Sequence, residues 1–504
     1  MNMTVRKLSQ LLPGASVSHD LDVECLNVVC DSRQVSRSSM FVAIVGSRVD
    51  GHHFVSQAVA SGAVAVVVER RISGLNVPQI VVKCSATAFA VLCLEFQLKQ
   101  DCCPTLAAVT GTNGKTTTAW MVHSILEAAR LKSGLLSTVE VCDGHTRQPA
   151  AMTTPPANHI ASWVGDLVKN SATHGVVEVS SHALNQKRCS ALKFAAAAIT
   201  NITHDHLDYH STVEQYRRVK ASIADLLYAD APVLLNIGDA GCRAIAGDLV
   251  DRASVVTYGL DESQAELKAS VLASTHRSQR VRLSLAQGDV DVRLKMIGGH
   301  NAENCLAAAG IAEQLGIRLS DIVAGLERLQ SVPGRLERID VGQSFQVFVD
   351  YAHTPDALTH SITAIRNFVP GRLICVFGAG GNRDASKRSG MGSAAGRSDL
   401  AIVTSDNPRF EDPVAIMNQV AAGFPAGVCH QAVQNREQAI WTALECAEPG
   451  DAVLIAGKGH ENTQEIRGGS FPFDDRKVAT RLLKQLSTST ASELHPVFSL
   501  PRSA

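Results

Sequence analysis

The stretch AAVTGTNGKTTTAWM, Ala107–Met121, decides how the chain around it folds. An apolar run leads into Gly111, a second glycine stands at Gly114, and Lys115 and Thr116 open a helical pattern. This order of strand, glycine loop and helix is typical of phosphate binding, because backbone N–H groups and a helix N-terminus attract an anion. The usual spacing G-x-x-x-x-G-K-[ST] would need a glycine where this chain has valine. We therefore predict a phosphate-binding loop of variant spacing, with a ligand-free turn as the alternative.

Short apolar runs alternate with helical patterns on both sides of the loop, which predicts an α/β protein with mostly parallel sheets. Around the loop the expected strands are PTLAAVT, GVVEVSS, FAAAAITNI and APVLLN. After a Pro-Gly break at Pro333–Gly334 they are FQVFVDY, RLICVFGAGG, DLAIVTSD and AVLIAGKG. A smaller α/β unit precedes them, with a strand at Val64–Val68 after a glycine helix cap at Gly62. We expect three domains, 1–103, 104–333 and 334–504, with ligands at the carboxyl ends of the strands.

The composition argues against several classes of function. The net charge is −1 and aromatic residues make up 4% of the chain, so neither a basic surface nor stacking platforms for nucleic acid are expected. No apolar run approaches the roughly 18 residues of a membrane span, and the first residues lack a signal-peptide pattern. The 13 cysteines are scattered without a C-x-x-C pair. We expect a cytoplasmic protein with reduced thiols.

A cluster of acidic residues and histidines follows one of the predicted strands. The segment TNITHDHLDYH carries His204, Asp205, His206, Asp208 and His210, and Glu178 ends another strand. Glu178 and His206 are expected to meet beside the glycine loop and to suit a divalent cation. A metal-dependent phosphohydrolase with an H-D motif is the rival hypothesis, but it would not require the loop, which favours a nucleotide-linked function.

Nine motifs occur in order along the chain: TGTNGKTT, TTP, EVSSHAL, TNITHDHLDYH, GGHNAENCLAAAG, VPGRLE, DYAHTPDAL, SDNPRFEDP and GKGHE. Together they resemble the Mur ligases of bacterial cell-wall synthesis, most closely the members that add the third residue of the stem peptide. The resemblance extends from Asp31 to Glu461, and the family's loop, G-T-N-G-K-T-T, accounts for the variant spacing. It implies the three-domain Mur ligase architecture: an N-terminal UDP-sugar domain, a central P-loop ATPase domain and a C-terminal Rossmann-like domain for the amino acid.

The resemblance also implies a reaction. ATP and Mg²⁺ would phosphorylate the carboxylate of UDP-N-acetylmuramoyl-L-alanyl-D-glutamate, and the amine of meso-2,6-diaminopimelate would attack the acyl phosphate. L-lysine or another diamino acid is the alternative substrate. MurF and folylpolyglutamate synthase fit DNPR and GKGHE less well, and a nucleotide-hydrolysing switch leaves the downstream motifs unexplained. A monomer is expected.

Residue roles are carried over by motif. The ATP contacts implied are Gly111, Thr112, Asn113, Gly114, Lys115, Thr116, Thr117, Asn304, Arg335 and Asp350, and His353 lies close by. The metal ligands implied are Thr116, Glu178, His206 and Lys220, the last as a carbamate. The catalytic residues implied are Lys115, Glu178, His206 and Lys220. From the sequence alone, Lys220 in YRRVKAS would be interpreted as a surface lysine.

Two further groups of residues match substrate positions. The UDP-sugar peptide positions are Ser32, Ser47, Arg48, Val49, Thr153, Thr154, Ser180, Gln186 and Arg188. The amino-acid positions are Arg383, Asp406, Asn407, Pro408, Arg409, Gly457 and Glu461. Met152 departs from the pattern, because some family members have asparagine there. Arg409 is expected to bind the second carboxylate of diaminopimelate; the alternative is a surface pair with Glu411 or Asp412.

Overall fold

The computed structural model describes residues 3–18, 22–46, 49–98, 103–203, 205 and 207–492. The predictions made for Ser47, Arg48 and His206 lie outside these residues. None of the described helices is long and apolar enough to cross a membrane.

The first sheet is small and belongs to the N-terminal part of the chain. Its strands lie in the order Ser16–Ser18, Gln79–Val81, Ala63–Val68, Ser39–Val42 and Asn27–Val29. The helices around it are Val5–Gln10, Val55–Ala60 and Ser85–Gln97, with short 3-10 turns at Ser32–Gln34 and Gly51–Phe54 and a separate strand pair Met3–Thr4 and Glu24–Cys25. The predicted strand after Gly62 is confirmed, one residue longer at its start. Gly62 has a φ of +108° just after a helix end, as expected for a cap.

The second sheet has eleven strands, and its middle is parallel. The spatial order is Arg147–Pro149, Glu140–Cys142, Ser133–Leu136, His174–Glu178, Thr105–Thr110, Ala196–Ile199, Pro232–Asn236, Ser254–Leu260, Leu267–Ser274, Gln279–Leu285 and Gly288–Leu294. Antiparallel strands extend it at both ends. Its helices are Lys115–Ala128, Ala157–Lys169, Ser181–Asn185, Leu207–His210, Val213–Ala221, Ala240–Arg243, Ala246–Val250, Gly299–Gln314 and Leu319–Arg328, with a 3-10 turn at Ser222–Leu226.

The order of these strands reverses at the predicted phosphate loop. After Thr105–Thr110 the chain forms Ser133–Leu136 and His174–Glu178 on one side, and then crosses to Ala196–Ile199 on the other. At such a reversal the connections leave the carboxyl edge in opposite directions and open a crevice. The helix predicted at about 116–129 is Lys115–Ala128, and its apolar side chains, including Val122 and Ile125, are fully buried.

The third sheet belongs to the C-terminal part. Its strands lie in the order Glu337–Arg338, Gln346–Asp350, Ala452–Ala456, Leu373–Phe377, Leu400–Val403 and His430–Ala432, and all but the first run parallel. The helices are Pro355–Arg366, Lys387–Ala395, Pro413–Ala421, Arg436–Glu445 and Asp475–Ser492, and a hairpin joins Thr463–Ile466 to Gly469–Pro472. The four strands predicted for this part are confirmed.

Candidate active site between the second and third sheets

A cavity of about 780 Å³ lies where the carboxyl edges of the second and third sheets face each other. The phosphate loop forms one part of its wall, and Arg335 and Asp350 of the C-terminal part form another. Side chains from both parts are already in contact there. Asn113 Nδ2 donates to Asp356 Oδ2 at 2.9 Å, and Lys387 Nζ lies 3.7 Å from Asp205 Oδ1. The cavity is therefore a site shared between two parts of the chain.

Two glycines shape the phosphate loop. Gly111 has a φ of +148° and Gly114 a φ of +83°. A Cβ on Gly111 would overlap the Thr200 hydroxyl, and one on Gly114 would overlap the Asn304 side-chain oxygen. Thr118 donates its N–H to the Gly114 carbonyl at 2.9 Å, so the N–H groups before it at the helix start have no intrahelical carbonyl to pair with. The loop thus offers the close backbone approach that a phosphate requires.

Lys115 and Thr116 stand at the start of the helix and line the cavity. Lys115 Nζ donates to the Thr112 carbonyl at 2.8 Å. Burial in the loop lowers the pKa of Lys115, while the charges of Glu178 and Asp205 oppose that shift. The Thr116 hydroxyl lies 3.0 Å from both carboxylate oxygens of Glu178. A hydroxyl and a carboxylate at this distance form a donor pair that suits Mg²⁺.

Glu178 is almost fully buried, with 1% of its surface exposed, and it is held by its neighbours. Thr138 donates its N–H to Oε2 at 2.9 Å and its hydroxyl to Oε1 at 3.0 Å. Thr138 also contacts Thr153 at 2.9 Å, and Thr154 donates to the Glu178 carbonyl at 2.8 Å. The carboxylate is therefore oriented from the strand end toward the phosphate loop.

Lys220 is buried, with 1% of its surface exposed, so the surface interpretation suggested by the sequence alone is wrong. Its Nζ donates to the Gly111 carbonyl at 2.6 Å and lies 4.7 Å from the centre of the Tyr216 ring. Burial holds the pKa of Lys220 well below its ordinary value, and the charge of Lys115 lowers it further. A neutral lysine amine is the form that can add CO₂, because its lone pair is available.

The residues expected to bind the muramoyl peptide surround the other end of the cavity. Ser180 is the cap residue of the helix Ser181–Asn185. Its backbone N–H donates to the Thr154 hydroxyl at 3.0 Å. Arg188 donates to the Thr154 carbonyl at 2.6 Å and to Gln186 Oε1 at 3.0 and 2.6 Å. Met152 also lies against this arginine, with its sulfur 3.7 Å from Nη1. Met152 therefore offers this arginine only a weak thioether acceptor.

Arg335, Asp350 and Asn304 line the cavity together with the phosphate loop. Arg335 Nη2 donates to the Thr116 hydroxyl at 3.0 Å, and its guanidinium lies 4.3 Å from the centre of the Tyr351 ring. Among the described residues, Arg335 Nη1 is buried without a hydrogen-bond partner. The carboxylate of Asp350 is already engaged by backbone N–H groups and by Ser361, and burial raises its pKa. Asn304 accepts a hydrogen bond from Thr118 at 3.3 Å.

The residues expected to bind the amino acid lie at the carboxyl edge of the third sheet. Asn407 Nδ2 donates to Glu461 Oε2 at 2.8 Å, and the buried Lys458 donates to both side chains at 3.0 Å. Arg383 is exposed and lines the cavity, Asp406 and Pro408 are buried, and Gly457 lies against Asp406.

Arg409 lies beside this group and is oriented by fixed acceptors. It has a φ of +52°, its Nη1 donates to the Gly381 carbonyl at 2.8 Å, and its Nε lies 2.7 Å from Glu465 Oε2. Its acidic partner is therefore Glu465 rather than Glu411 or Asp412. Glu411 instead pairs with the buried Arg388.

The positions expected to bind the UDP group are only partly described. Ser32 lies 3.4 Å from Gln57 through its hydroxyl, and Val49 is 55% exposed. Both lie on the N-terminal part and outside the cavity.

Sequence models of three domains match the chain. They are "Mur ligase family, catalytic domain" over residues 25–92, "Mur ligase middle domain" over 109–312 and "Mur ligase, glutamate ligase domain" over 334–459. A UDP-N-acetylmuramoyl-L-alanyl-D-glutamate--2,6-diaminopimelate ligase from Geobacillus kaustophilus is 39% identical over 491 residues, covering 96% of this chain and 100% of the relative. The chain belongs to the Mur ligase family. A relative of the same name from Gloeobacter violaceus is 39% identical and covers 96% of this Mur ligase and 99% of itself.

Solved structures agree with this fold. A ligase bearing the same name superimposes with a TM-score of 0.70 at 29% identity, covering 97% of this Mur ligase and 100% of that chain. A MurF ligase from Thermotoga maritima in complex with ADP has a TM-score of 0.62 at 19% identity, covering 93% and 98%, and shows the fold alone.

The donor set of this Mur ligase fits a magnesium nucleotide. The unpartnered Arg335 Nη1 and the N–H groups of the loop suit phosphate oxygens, and Thr116 with Glu178 suits a hard cation. Within the described ranges, which exclude His204 and His206, no group of three or more histidine, cysteine or acidic side chains forms a metal centre. Of the expected metal ligands, Thr116 and Glu178 are in direct contact, and Lys220 lies beside Gly111.

Several residues of the site are missed by the sequence interpretation. Thr138 and Asn201 follow the carboxyl ends of strands and line the cavity. Their place after strands is the signal from which they could have been predicted. Asp356 and Lys387 reach the second sheet from the C-terminal part, and nothing in the sequence indicates such contacts. Lys458 stands inside the motif GKGHE, where its burial is not visible.

Proposed function

We propose that this Mur ligase joins meso-2,6-diaminopimelate to UDP-N-acetylmuramoyl-L-alanyl-D-glutamate by an amide bond, with ATP and Mg²⁺. One observation carries the proposal: the phosphate loop, Arg335 and Arg383 line one cavity, and Arg383 is one of the residues matched to the amino acid. The relatives that match almost the whole chain bear this name.

Different residues of the cavity would have different roles in the reaction. ATP supplies the phosphoryl group that turns a carboxylate oxygen of the acceptor into a leaving group. Lys115 Nζ donates to Thr112 in the loop and Arg335 Nη2 donates to Thr116, so both cations would neutralise phosphate charge as the acyl phosphate forms. Thr116 and Glu178 would hold the cation against the loop. The catalysis consists mainly of positioning and charge neutralisation.

Lys220 supports a second cation position in this proposal. A carbamate on its Nζ would place negative charge beside Gly111 and near the charge of Lys115. A buried ammonium at the same place would repel both Lys115 and the metal. The lowered pKa makes the neutral amine available for CO₂, so the residue fits the role that the family resemblance implies.

The amino acid would enter from the C-terminal wall. Arg383 in the cavity lining and Arg409 outside it would offer guanidinium groups for its carboxylates, and Asp406 with Glu461 would offer acceptors for its ammonium groups. A second carboxylate at the far end of the side chain is what distinguishes diaminopimelate from L-lysine. Arg409 has the planar fork to recognise it.

The wider proposal is a cytoplasmic, monomeric enzyme with domains 1–103, 104–333 and 334–504. The N-terminal domain would hold the UDP group through Ser32, Ser47, Arg48 and Val49.

The decisive experiment is an amino-acid screen. Purified enzyme, ATP, Mg²⁺ and UDP-N-acetylmuramoyl-L-alanyl-D-glutamate are incubated with meso-diaminopimelate, L-lysine or L-ornithine, and products are read by mass. An adduct with diaminopimelate above the others supports the proposal, and a preference for L-lysine would support the alternative diamino acid. Phosphate release that needs neither substrate would instead indicate a nucleotide-hydrolysing switch.

A further inference from the structure

A chain of hydrogen bonds runs from Tyr209 to the arginine that lines the acceptor end of the cavity. The Tyr209 hydroxyl accepts from Asn185 Nδ2 at 3.0 Å and from Gln186 Nε2 at 3.2 Å. On the other side of the same amide, Gln186 Oε1 accepts from Arg188 Nε at 3.0 Å and Nη2 at 2.6 Å. Arg188 Nη1 then donates to the Thr154 carbonyl at 2.6 Å. The guanidinium is therefore held at all three of its nitrogens.

The orientation of the Gln186 amide decides whether this arrangement works. An amide offers an acceptor on one side and two donors on the other. If the group turned over, its NH₂ would face the cationic guanidinium of Arg188, and two charge-assisted hydrogen bonds would be lost. Gln186 is exposed, so water alone would satisfy either orientation. Besides Arg188 itself, the hydroxyl of Tyr209, which receives Nε2, favours the orientation observed.

Tyr209 is itself fixed in place. Its ring centre lies 4.2 Å from that of His182, which lines the cavity, with the two planes tilted by 32°, and 4.8 Å from that of the buried His210, edge to face. His210 Nε2 lies 3.0 Å from the Ser181 hydroxyl, on the helix that Ser180 caps. The hydroxyl is therefore rigidly placed relative to the segment that carries Gln186 and Arg188.

We propose that Tyr209 is a positioning residue for the acceptor substrate: its hydroxyl sets the Gln186 amide, which aims Arg188 at a carboxylate of the acceptor. The inference rests on the proposed function, because it assigns Arg188 to the acidic peptide end of the UDP-sugar substrate. Tyr209 is not among the residues lining the cavity, and its hydrogen bond with Gln186 connects it to Arg188, which is one of them.

The test is Tyr209→Phe, which removes one oxygen and retains the ring that packs on His182. We expect KM for UDP-N-acetylmuramoyl-L-alanyl-D-glutamate to rise roughly three- to tenfold, the range of one neutral hydrogen bond. The values of KM for ATP and for the amino acid should stay within about twofold, because neither molecule is bound by Arg188. Tyr228→Phe is the matched control, since Tyr228 is 49% exposed and remote from the cavity.

A double-mutant cycle separates positioning from direct contact or simple destabilisation. In a Gln186→Ala background there is no amide to orient, so adding Tyr209→Phe should change KM less than twofold. A full additional loss in that background would overturn the inference, and so would an unchanged KM in the single variant or an equal rise in all three KM values. If the wild-type protein forms no adduct at all, the proposed function fails. If it forms the adduct and Tyr209→Phe behaves as wild type, only the role of Tyr209 fails.

Discussion

Replacing Arg335 should greatly reduce activity while changing the stability of the fold little. It comes from the start of the C-terminal part, yet its guanidinium reaches Thr116 at the phosphate loop. Arg335→Ala removes one hydrogen bond, a contact with the Tyr351 ring and the buried, unpartnered Nη1. The first two losses are each worth about 0.5–2 kcal/mol, while an unsatisfied buried donor costs about 1–3 kcal/mol. These terms nearly cancel, so the free energy of unfolding should change by only about 1 kcal/mol.

The effect on turnover should be much larger. If Nη1 meets a phosphate oxygen when ATP binds, Arg335→Ala removes a preorganised donor from the developing charge. Loss of one such donor typically reduces kcat about 10²–10³-fold, or roughly 2.7–4 kcal/mol. The assay is phosphate release with both substrates present, beside urea unfolding of the ligand-free protein. Arg328→Ala is the control, because Arg328 pairs on the surface with Glu127 and is 61% exposed. A decrease of several kcal/mol in the free energy of unfolding, together with normal turnover, would refute the reasoning.

Three further outcomes are expected. Arg409→Ala should lower kcat/KM for meso-diaminopimelate by about 30-fold or more and leave L-lysine use unchanged or slightly higher, because lysine has no second carboxylate; equal losses for both would mean that Arg409 only shapes its loop. Lys220→Ala should be nearly inactive and partly rescued by acetate or formate, which restore negative charge; full activity without them would remove the carbamate role. Burial lowers the pKa of His123 to about 4 from its ordinary 6.5. Between these two pH values the unfolded chain binds more protons than the folded chain, so the free energy of unfolding decreases as the pH falls from 6.5 to 4. In His123→Gln the change of unfolding free energy with pH, measured by urea unfolding between pH 4 and 7, should be smaller by up to about 1.4 kcal/mol per pH unit. An unchanged dependence on pH would contradict this prediction.

The phosphate loop and the parallel strands were predictable because their signals are local. The apolar run before Gly111, the glycines themselves and the helix after Lys115 lie within one short stretch. The strands that end in Glu178 and Asp350 are continuous apolar runs, as expected for strands covered on both faces. The antiparallel extension Leu267–Leu294 was not predicted, because its alternating, half-exposed residues and turns give weaker patterns.

The contacts that complete the site were not predictable, because they join residues far apart in the chain. Asn113 and Asp356 are separated by 243 positions, and neither lies in a pattern that indicates the other. Lys220 shows the same limit: its neighbours in YRRVKAS are polar, and its burial depends on the loop at Gly111 that its Nζ meets. Motif resemblance predicted Lys220 in the site, whereas periodicity alone would have left it on the surface.

The two glycines of the phosphate loop also bear on how the enzyme could evade an inhibitor. Any side chain at Gly111 or Gly114 would strike Thr200 or Asn304, and both backbone conformations are ones that other residues rarely adopt. A compound that binds against this loop would therefore contact positions where a resistance mutation also impairs the enzyme. Escape would have to arise at tolerant wall positions such as Met152, which is 45% exposed. An inhibitor that avoids Met152 and relies on the glycines should select resistant strains more slowly than one that contacts it.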